Sequence, residues 1–317
     1  MWLIVGFILL IKGADYFVDS ASTIARKLHV SPLIVGLTIV AFGTSAPEAV
    51  VSIIAALDGN GDLVVGNIVG SNIVNITLLL GVTVLVSPII MDRDTVNKDV
   101  VISIFTAVLL FILAGGFWTY GDHIVGRADG VVILLFFAVF LIYVFMKALR
   151  SRGATMDKEA AAADIENDKP WWQLIVILIL GLAAIIFGGD LVVNSATEIA
   201  IALGMSQALV GLTIVAIGTS LPELVTSVAA ARKGQASMAV GNLIGSNIFN
   251  IFFVTGLSAV IMPLLVVPSL MIDAVILIVI SVIVYILSRT GYKLGRVEGT
   301  FLILIYIVYL VYIILRG

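Results

Sequence analysis

Glu48 and Glu223 are the residues of this chain best placed to do chemistry. Each closes the same thirteen-residue stretch. Gly36-Leu-Thr-Ile-Val-Ala-Phe-Gly-Thr-Ser-Ala-Pro-Glu48 recurs as Gly211-Leu-Thr-Ile-Val-Ala-Ile-Gly-Thr-Ser-Leu-Pro-Glu223, with eleven of thirteen positions identical at an offset of 175. Thr44 and Ser45 precede the first carboxylate, and Thr219 and Ser220 the second. A second pair, Gly66-Asn-Ile-Val-Gly-Ser-Asn-Ile-Val-Asn-Ile76 and Gly241-Asn-Leu-Ile-Gly-Ser-Asn-Ile-Phe-Asn-Ile251, repeats at the same offset of 175 and adds Ser71, Asn72 and Asn75, and Ser246, Asn247 and Asn250. The inventory is carboxylate, hydroxyl, amide and carbonyl oxygen, with no sulfur and no imidazole. Hard oxygen ligands suit Na⁺, Ca²⁺ or Mg²⁺ rather than zinc or copper. Magnesium keeps its waters, so a dehydrating cage favours calcium, which takes about 6–8 oxygens.

Both carboxylates sit in long apolar runs, where a mid-helix acid costs about 3 kcal/mol to insert. No Lys or Arg lies in the four helices concerned away from their ends. One Ca²⁺, two Na⁺ or two H⁺ would neutralise the pair. A site that must be filled, and that different cations can fill, couples their movements when the empty protein cannot change sides. Two other classes compete. A cation channel also uses acidic residues, but usually as rings from several subunits; here one chain supplies both halves, so a single chain suffices as the transport unit. An intramembrane enzyme with Ser45 or Ser220 as nucleophile needs a base within hydrogen-bond reach, and no His or Lys is available at depth. No enzyme activity, cofactor or nucleic-acid partner is expected; the partners are membrane lipid and the transported cations.

The elements that must position these residues are membrane helices. The chain has 317 residues, is 61% hydrophobic and only 12% charged, with mean hydropathy +1.22. Soluble domains are less apolar and about twice as charged. Absence of cysteine excludes disulfides and thiolate sites. The apolar start at Trp2 lacks a basic leader and a small-residue cleavage site, so it reads as a first membrane helix. Ten runs meet the length of about 20 residues that a span needs: 2–28, 32–57, 63–86, 100–118, 130–149, 172–203, 207–231, 236–262, 268–288 and 299–315. The charged stretch 150–170 is read as a cytoplasmic linker between a first five-helix repeat, 1–149, and a second, 171–317. Gly13, Asp15, Val18, Ser20 and Ala21 align with Gly188, Asp190, Val193, Ser195 and Ala196, so the duplication reaches the first helices too. Five spans is an odd number, so the halves enter the membrane from opposite sides, a common transporter plan with the site near the midplane between inverted repeats. With the N-terminus outside, fourteen Lys and Arg fall in cytoplasmic loops and only Arg127 and Arg316 outside, with Lys12 inside a helix. That bias follows the positive-inside rule. The fold expected is an all-α, multi-pass cell-membrane protein of ten transmembrane helices in two inverted-topology repeats, with broken helices at the core and both termini extracytoplasmic.

Local chemistry sharpens the site. Pro47 lacks an N–H and clashes with the carbonyl of Gly43, so the second helix is expected to kink or unwind there. If the turn stays helical, Thr44, Ser45 and Glu48 share a face. Gly66/Gly70 and Gly241/Gly245 have the spacing of close helix packing. Asn72 and Asn247 serve either as ligands or as interhelical hydrogen-bond partners. Asp15 and Asp190 either neighbour the ion path or cap an unwound turn; Asp19 has Asn194 as its counterpart in the repeat, so a charge there is not needed twice. Asp273 suits the dipole at a helix start. His29 and His123 fall in loops without an assigned role, and Tyr306, Tyr309 and Tyr312 form a packing or interface stripe.

The paired Gly-Thr-Ser-x-Pro-Glu segments, each followed by Gly-Ser-Asn-Ile-x-Asn, closely resemble the α-repeats of the calcium/cation antiporter superfamily, and within it the prokaryotic sodium/calcium exchangers. The resemblance covers almost the whole chain. It implies alternating access, with Na⁺ running down its gradient to extrude Ca²⁺ and with the first and sixth helices sliding against the other eight. It implies Glu48, Glu223, Thr44 and Thr219 as calcium ligands. It implies Ser45, Ser220, Ser71, Ser246 and the carbonyls of Ala41 and Ala216 as sodium ligands, with Asn75 and Asn250 lining the central position. Some relatives, potassium-dependent exchangers among them, carry Asp where this chain has Asn250, so a K⁺ requirement is not expected. With two central carboxylates and several Na⁺, transport is expected to be electrogenic. The proton-coupled branch typically has Glu where this chain has Gly70 and Gly245; a H⁺/Ca²⁺ exchanger is the alternative.

Overall fold

The computed structural model describes residues 2–116, 123–159, 169–204 and 216–316, with side chains from 152 to 159 and at 216 left aside. The first half runs α1 (Trp2–Lys27), α2 (Pro32–Thr44), α3 (Ala46–Leu57), α4 (Gly61–Val86), strand β1 (Ile89–Ile90), α5 (Thr95–Leu113), β2 (His123–Val125) and α6 (Arg127–Glu159). The second runs α7 (Trp171–Ala202), a short turn Ala216–Gly218, α8 (Leu221–Arg232), α9 (Ala236–Ile261), β3 (Leu264–Val266), α10 (Pro268–Arg289), β4 (Lys293–Leu294) and α11 (Arg296–Arg316). Among the described residues 7 helices are long and apolar enough to cross a membrane, or up to 8 if α2 and α3 form one span bent by 49°. α1 is long enough to span but carries Lys12, Asp15 and Asp19 in its middle, which leaves it outside that count. The start of the expected seventh span lies outside the described residues. So does the linker from 160 to 168; its first ten residues continue α6 as helix through Glu159.

The protein is not purely helical. β1 pairs antiparallel with β4 (Ile89 opposite Leu294), and β2 with β3 (Ile124 opposite Leu265). These two-stranded ladders tie loops of the two halves together at the ends of the bundle. Helix starts also differ from the hydropathy windows. α5 begins at Thr95, five residues before the apolar run, because its polar first turn is held from the side: Asp99, 0% exposed, accepts from Lys147 Nζ at 2.5 Å and from Tyr143 Oη at 3.0 Å. Asp273 does more than suit a helix dipole. It is buried and takes Arg316 bidentately at 2.8 and 2.9 Å. α6 and α11 start alike: Asp129 accepts the Gly126 N–H and Glu298 the Gly295 N–H, both at 2.8 Å. This is the back-reaching half of a capping box, and Gly126-Arg-Ala-Asp-Gly130 echoes Gly295-Arg-Val-Glu-Gly299.

α1 and α7 lie antiparallel along their length. Glycine permits it: a Cβ on Gly6 would meet the Gly188 carbonyl oxygen at 2.9 Å, and one on Gly13 the Gly181 carbonyl oxygen at 2.9 Å. Backbone therefore meets backbone at both crossings, as small residues allow between membrane helices. α1 stays helical through Asp15 and α7 through Asp190, so neither acid caps an unwound turn.

Removing one partner from a buried ion pair strands the other charge, at about 3–5 kcal/mol. Lys147→Met should lower the thermal unfolding midpoint of the detergent-solubilised protein sharply. Adding Asp99→Asn should recover most of the loss.

Candidate cation-binding site

The chain breaks twice in the same way. Ser45, at φ −83° and ψ 7°, joins α2 to α3, and Ser220, at φ −91° and ψ 7°, precedes α8. Pro47 and Pro222 then occupy the first turn of the new helices, where a missing N–H costs nothing. The break is a kink rather than an unwound stretch, since Ala41 O still accepts the Ser45 N–H at 3.0 Å. Glu48 and Glu223 fall in the first turns of α3 and α8, at the positive ends of those helices. Glu48 is 1% exposed and Glu223 0%.

Polar side chains cross between the halves. Ser45 Oγ donates to Glu223 Oε1 at 2.8 Å, rather than to Glu48 on its own helix. Thr44 Oγ1 donates to Asn242 Oδ1 at 3.1 Å. Asn75 Nδ2 donates to Asn247 Oδ1 at 3.0 Å, and Asn250 Nδ2 reaches Ser71 Oγ at 3.4 Å. Ser220 lies beside the Glu48 carboxylate, and the two carboxylates are within electrostatic reach of each other. Thr219 lines a cavity of about 90 Å³ with Asn67, Ser71, Tyr306 and Tyr309. The tyrosine stripe thus packs inward beside the site. Ala41 is buried in α2; Ala216 opens the short turn before Ser220.

Two pairs that the spacing rules passed over hold the site together. Asn67 Nδ2 donates to Ser52 Oγ at 2.9 Å and to the Glu48 carbonyl at 3.4 Å. Asn242 Nδ2 makes the same two bonds to Ser227 at 2.9 Å and to the Glu223 carbonyl at 3.3 Å. The signal was present: Asn67, Ser71 and Asn75 are spaced by four, as are Asn242, Ser246 and Asn250, so each trio lies on one helix face.

Glycine sets how closely α9 approaches α2. A Cβ on Gly241 would lie 2.5 Å from Leu33 O, and one on Gly245 2.7 Å from Leu37 O. The equivalents of Leu33 and Leu37 beside Gly66 and Gly70 are residues 208 and 212, outside the described residues.

Eight buried oxygens of these residues make no hydrogen bond among the described residues: Glu48 Oε1 and Oε2, Glu223 Oε2, Ser220 Oγ, Ser246 Oγ, Asn72 Oδ1, Asn75 Oδ1 and Asn250 Oδ1. Buried polar atoms are rarely left so. A set of acceptor-capable oxygens with two acids and no buried cation is what a dehydrated metal ion satisfies.

The sequence matches the family model described as sodium/calcium exchanger protein over residues 1–146 and 173–315. It is 38% identical over 337 aligned positions to the sodium/calcium exchanger MaX1 of Methanosarcina acetivorans, covering 98% of this chain and 96% of that one. It is 38% identical over 263 positions to the inner membrane protein YrbG of Escherichia coli, covering 82% and 79%. The structure superposes on the sodium-calcium exchanger NCX_Mj, soaked with 2.5 mM Na⁺ and 0.1 mM Ca²⁺, with TM-score 0.81 and 32% identity over 97% of this chain and 95% of that one.

Proposed function

The chain belongs to the sodium/calcium exchanger family, and from that premise we propose that it is an antiporter exchanging Na⁺ for Ca²⁺ by alternating access. The observation that carries this reading is the pair of buried acids, one from each half and within electrostatic reach of each other, with Ser45 Oγ of the first half donating to Glu223 Oε1 of the second at 2.8 Å. Among the described residues no Lys or Arg forms an ion pair with either acid, and in this reading a transported cation supplies the compensating charge. One Ca²⁺ balances both. Several Na⁺, spread over Ser45, Ser220, Ser71, Ser246 and the carbonyls of Ala41 and Ala216, exceed it, and the cycle moves net charge. Glu48, Glu223, Thr44 and Thr219 are the calcium ligands in this reading. The amides of Asn75 and Asn250 line the centre without a third acid, which fits independence from K⁺.

The architecture in this reading is ten spans: 1–149 and 171–317 as inverted five-helix repeats, a cytoplasmic linker between them, and both termini outside. The antiparallel run of α1 against α7 supports it, as do the matched breaks at Ser45 and Ser220. Arg93, Lys98, Lys147 and Arg150 also converge on one cleft of about 570 Å³, a clustering that the positive-inside rule assigns to the cytoplasm.

Ca²⁺ uptake into proteoliposomes tests the coupling. Vesicles loaded with Na⁺ and diluted into Na⁺-free medium should accumulate Ca²⁺, faster when valinomycin and K⁺ remove the opposing potential. Uptake driven equally by a pH gradient without Na⁺ would reassign the protein as a H⁺/Ca²⁺ exchanger. Asn242→Ala should weaken Ca²⁺ binding about 10–100-fold, the usual effect of losing a group that orients a metal ligand. Asn67→Ala should do the same from the other half.

A further inference from the structure

α1 is gripped by a charged side chain at the C-terminal end of α8, the helix that carries Glu223. Lys233 Nζ lies 2.8 Å from Asp19 Oδ1 and 3.4 Å from Asp15 Oδ1, and donates to the Asp15 carbonyl at 2.8 Å. The repeat supplies the comparison. Lys233 caps α8 and precedes Gly234 at φ 74°; its counterpart at offset 175 is Asp58, which caps α3 and precedes Gly59 at φ 83°. Asp15 corresponds to Asp190, and Asp19 to Asn194. On one side, then, a lysine meets two acids. On the mirror side an acid would meet an acid and an amide. Asp58 and Asp190 are both exposed, and no cation pairs with either among the described residues.

We propose that Lys233 is a positioning residue whose bond to Asp15 and Asp19 latches α1 to α8 in the conformation seen here and makes the two access states unequal. Resting on the alternating-access reading, the inference follows from symmetry. If inverted halves exchange conformations, the contact between the end of α8 and α1 gives way to one between the end of α3 and α7. The first contact is attractive and the second, Asp58 against Asp190, repulsive. The site therefore rests open or closed on one preferred side, and binding from the other side is weakened by the fraction of time that side is available.

The chain has no cysteine, so spin labels can be placed at Tyr16→Cys and Arg232→Cys, both exposed positions, in the full-length protein in nanodiscs. Electron paramagnetic resonance should give one dominant distance. K233Q should move population to a second distance, changing the ratio roughly two- to five-fold, the range of partly exposed ion pairs. K233R should restore the original ratio. D58K, which adds a cation opposite Asp190, should shift the ratio in the same direction as K233Q, and D58K with K233D further still. An unchanged distribution in K233Q, or a D58K shift in the opposite direction, would overturn the latch. Flux separates the two readings. Distances that respond as stated in a protein lacking Na⁺-driven uptake leave the latch standing and remove the sodium coupling; Na⁺-driven uptake with unresponsive distances removes the latch alone.

Discussion

Glu48→Gln and Glu223→Gln should each reduce Na⁺-driven Ca²⁺ uptake to background while the protein remains folded. The substitution keeps the shape and removes one charge. Losing a group that merely orients a metal ligand costs about 10–100-fold in affinity, so losing a ligand's own charge should exceed about 100-fold. Stability should move the other way. A buried acid carries an insertion cost of about 3 kcal/mol, which the amide largely avoids, so the melting temperature in Ca²⁺-free buffer should rise or hold. Ca²⁺ should then raise the melting temperature of the parent protein and leave both variants unmoved. Uptake surviving in either variant would place the ion elsewhere.

Gly241→Val and Gly245→Val should be the most damaging changes outside the acids. The side chain's Cβ at Gly241 would lie 2.5 Å from Leu33 O, and at Gly245 2.7 Å from Leu37 O and 2.8 Å from Ala41 Cβ. Those neighbours are backbone and a one-carbon side chain, with no rotamer to give way. Overpacking of this kind costs typically 1–3 kcal/mol and occasionally more, and here it pushes α2 outward, carrying Thr44 and Ser45 from their partners on the other half. Yield of folded protein by size-exclusion chromatography should fall steeply, and surviving protein should transport poorly. Gly189→Ala is the control. Its nearest neighbours, Leu10 and Pro222, stand at 3.9 Å, ordinary contact, and its folding yield and transport should be unchanged.

The candidate site was legible as a pattern because duplication writes it twice. A lone Gly-Thr-Ser-x-Pro-Glu segment reads as a kink; two at one offset, each ending in an acid, point to a paired site. What spacing rules could not read was partnership across the repeat. Rules for i,i+3 and i,i+4 pairs speak for one helix, and so placed Ser45 with Glu48, whereas its hydroxyl donates to Glu223, 178 residues away. Helix ends were missed for a related reason. Hydropathy begins a span at its first apolar residue, but α5 starts earlier because Lys147 and Tyr143, from α6, neutralise and hydrogen-bond Asp99. Asp273 looked like a dipole residue because Arg316, its partner, lies 43 positions on. The ladders of two and three residue pairs are too short to leave a period-two pattern. Long, strongly apolar elements and repeated motifs survive in one dimension; pairings made by tertiary packing do not.

The central claim is a single cation site built by both halves and shared by Ca²⁺ and Na⁺. Equilibrium binding of radiolabelled Ca²⁺ to the purified protein, titrated with Na⁺ at fixed pH and ionic strength, tests it most directly. The account predicts high-affinity Ca²⁺ displaced competitively and with more than one Na⁺ per site, with all of that binding lost in either glutamine variant. Binding that persists in both variants, or that Na⁺ leaves untouched while choline and K⁺ behave identically to it, would contradict the account.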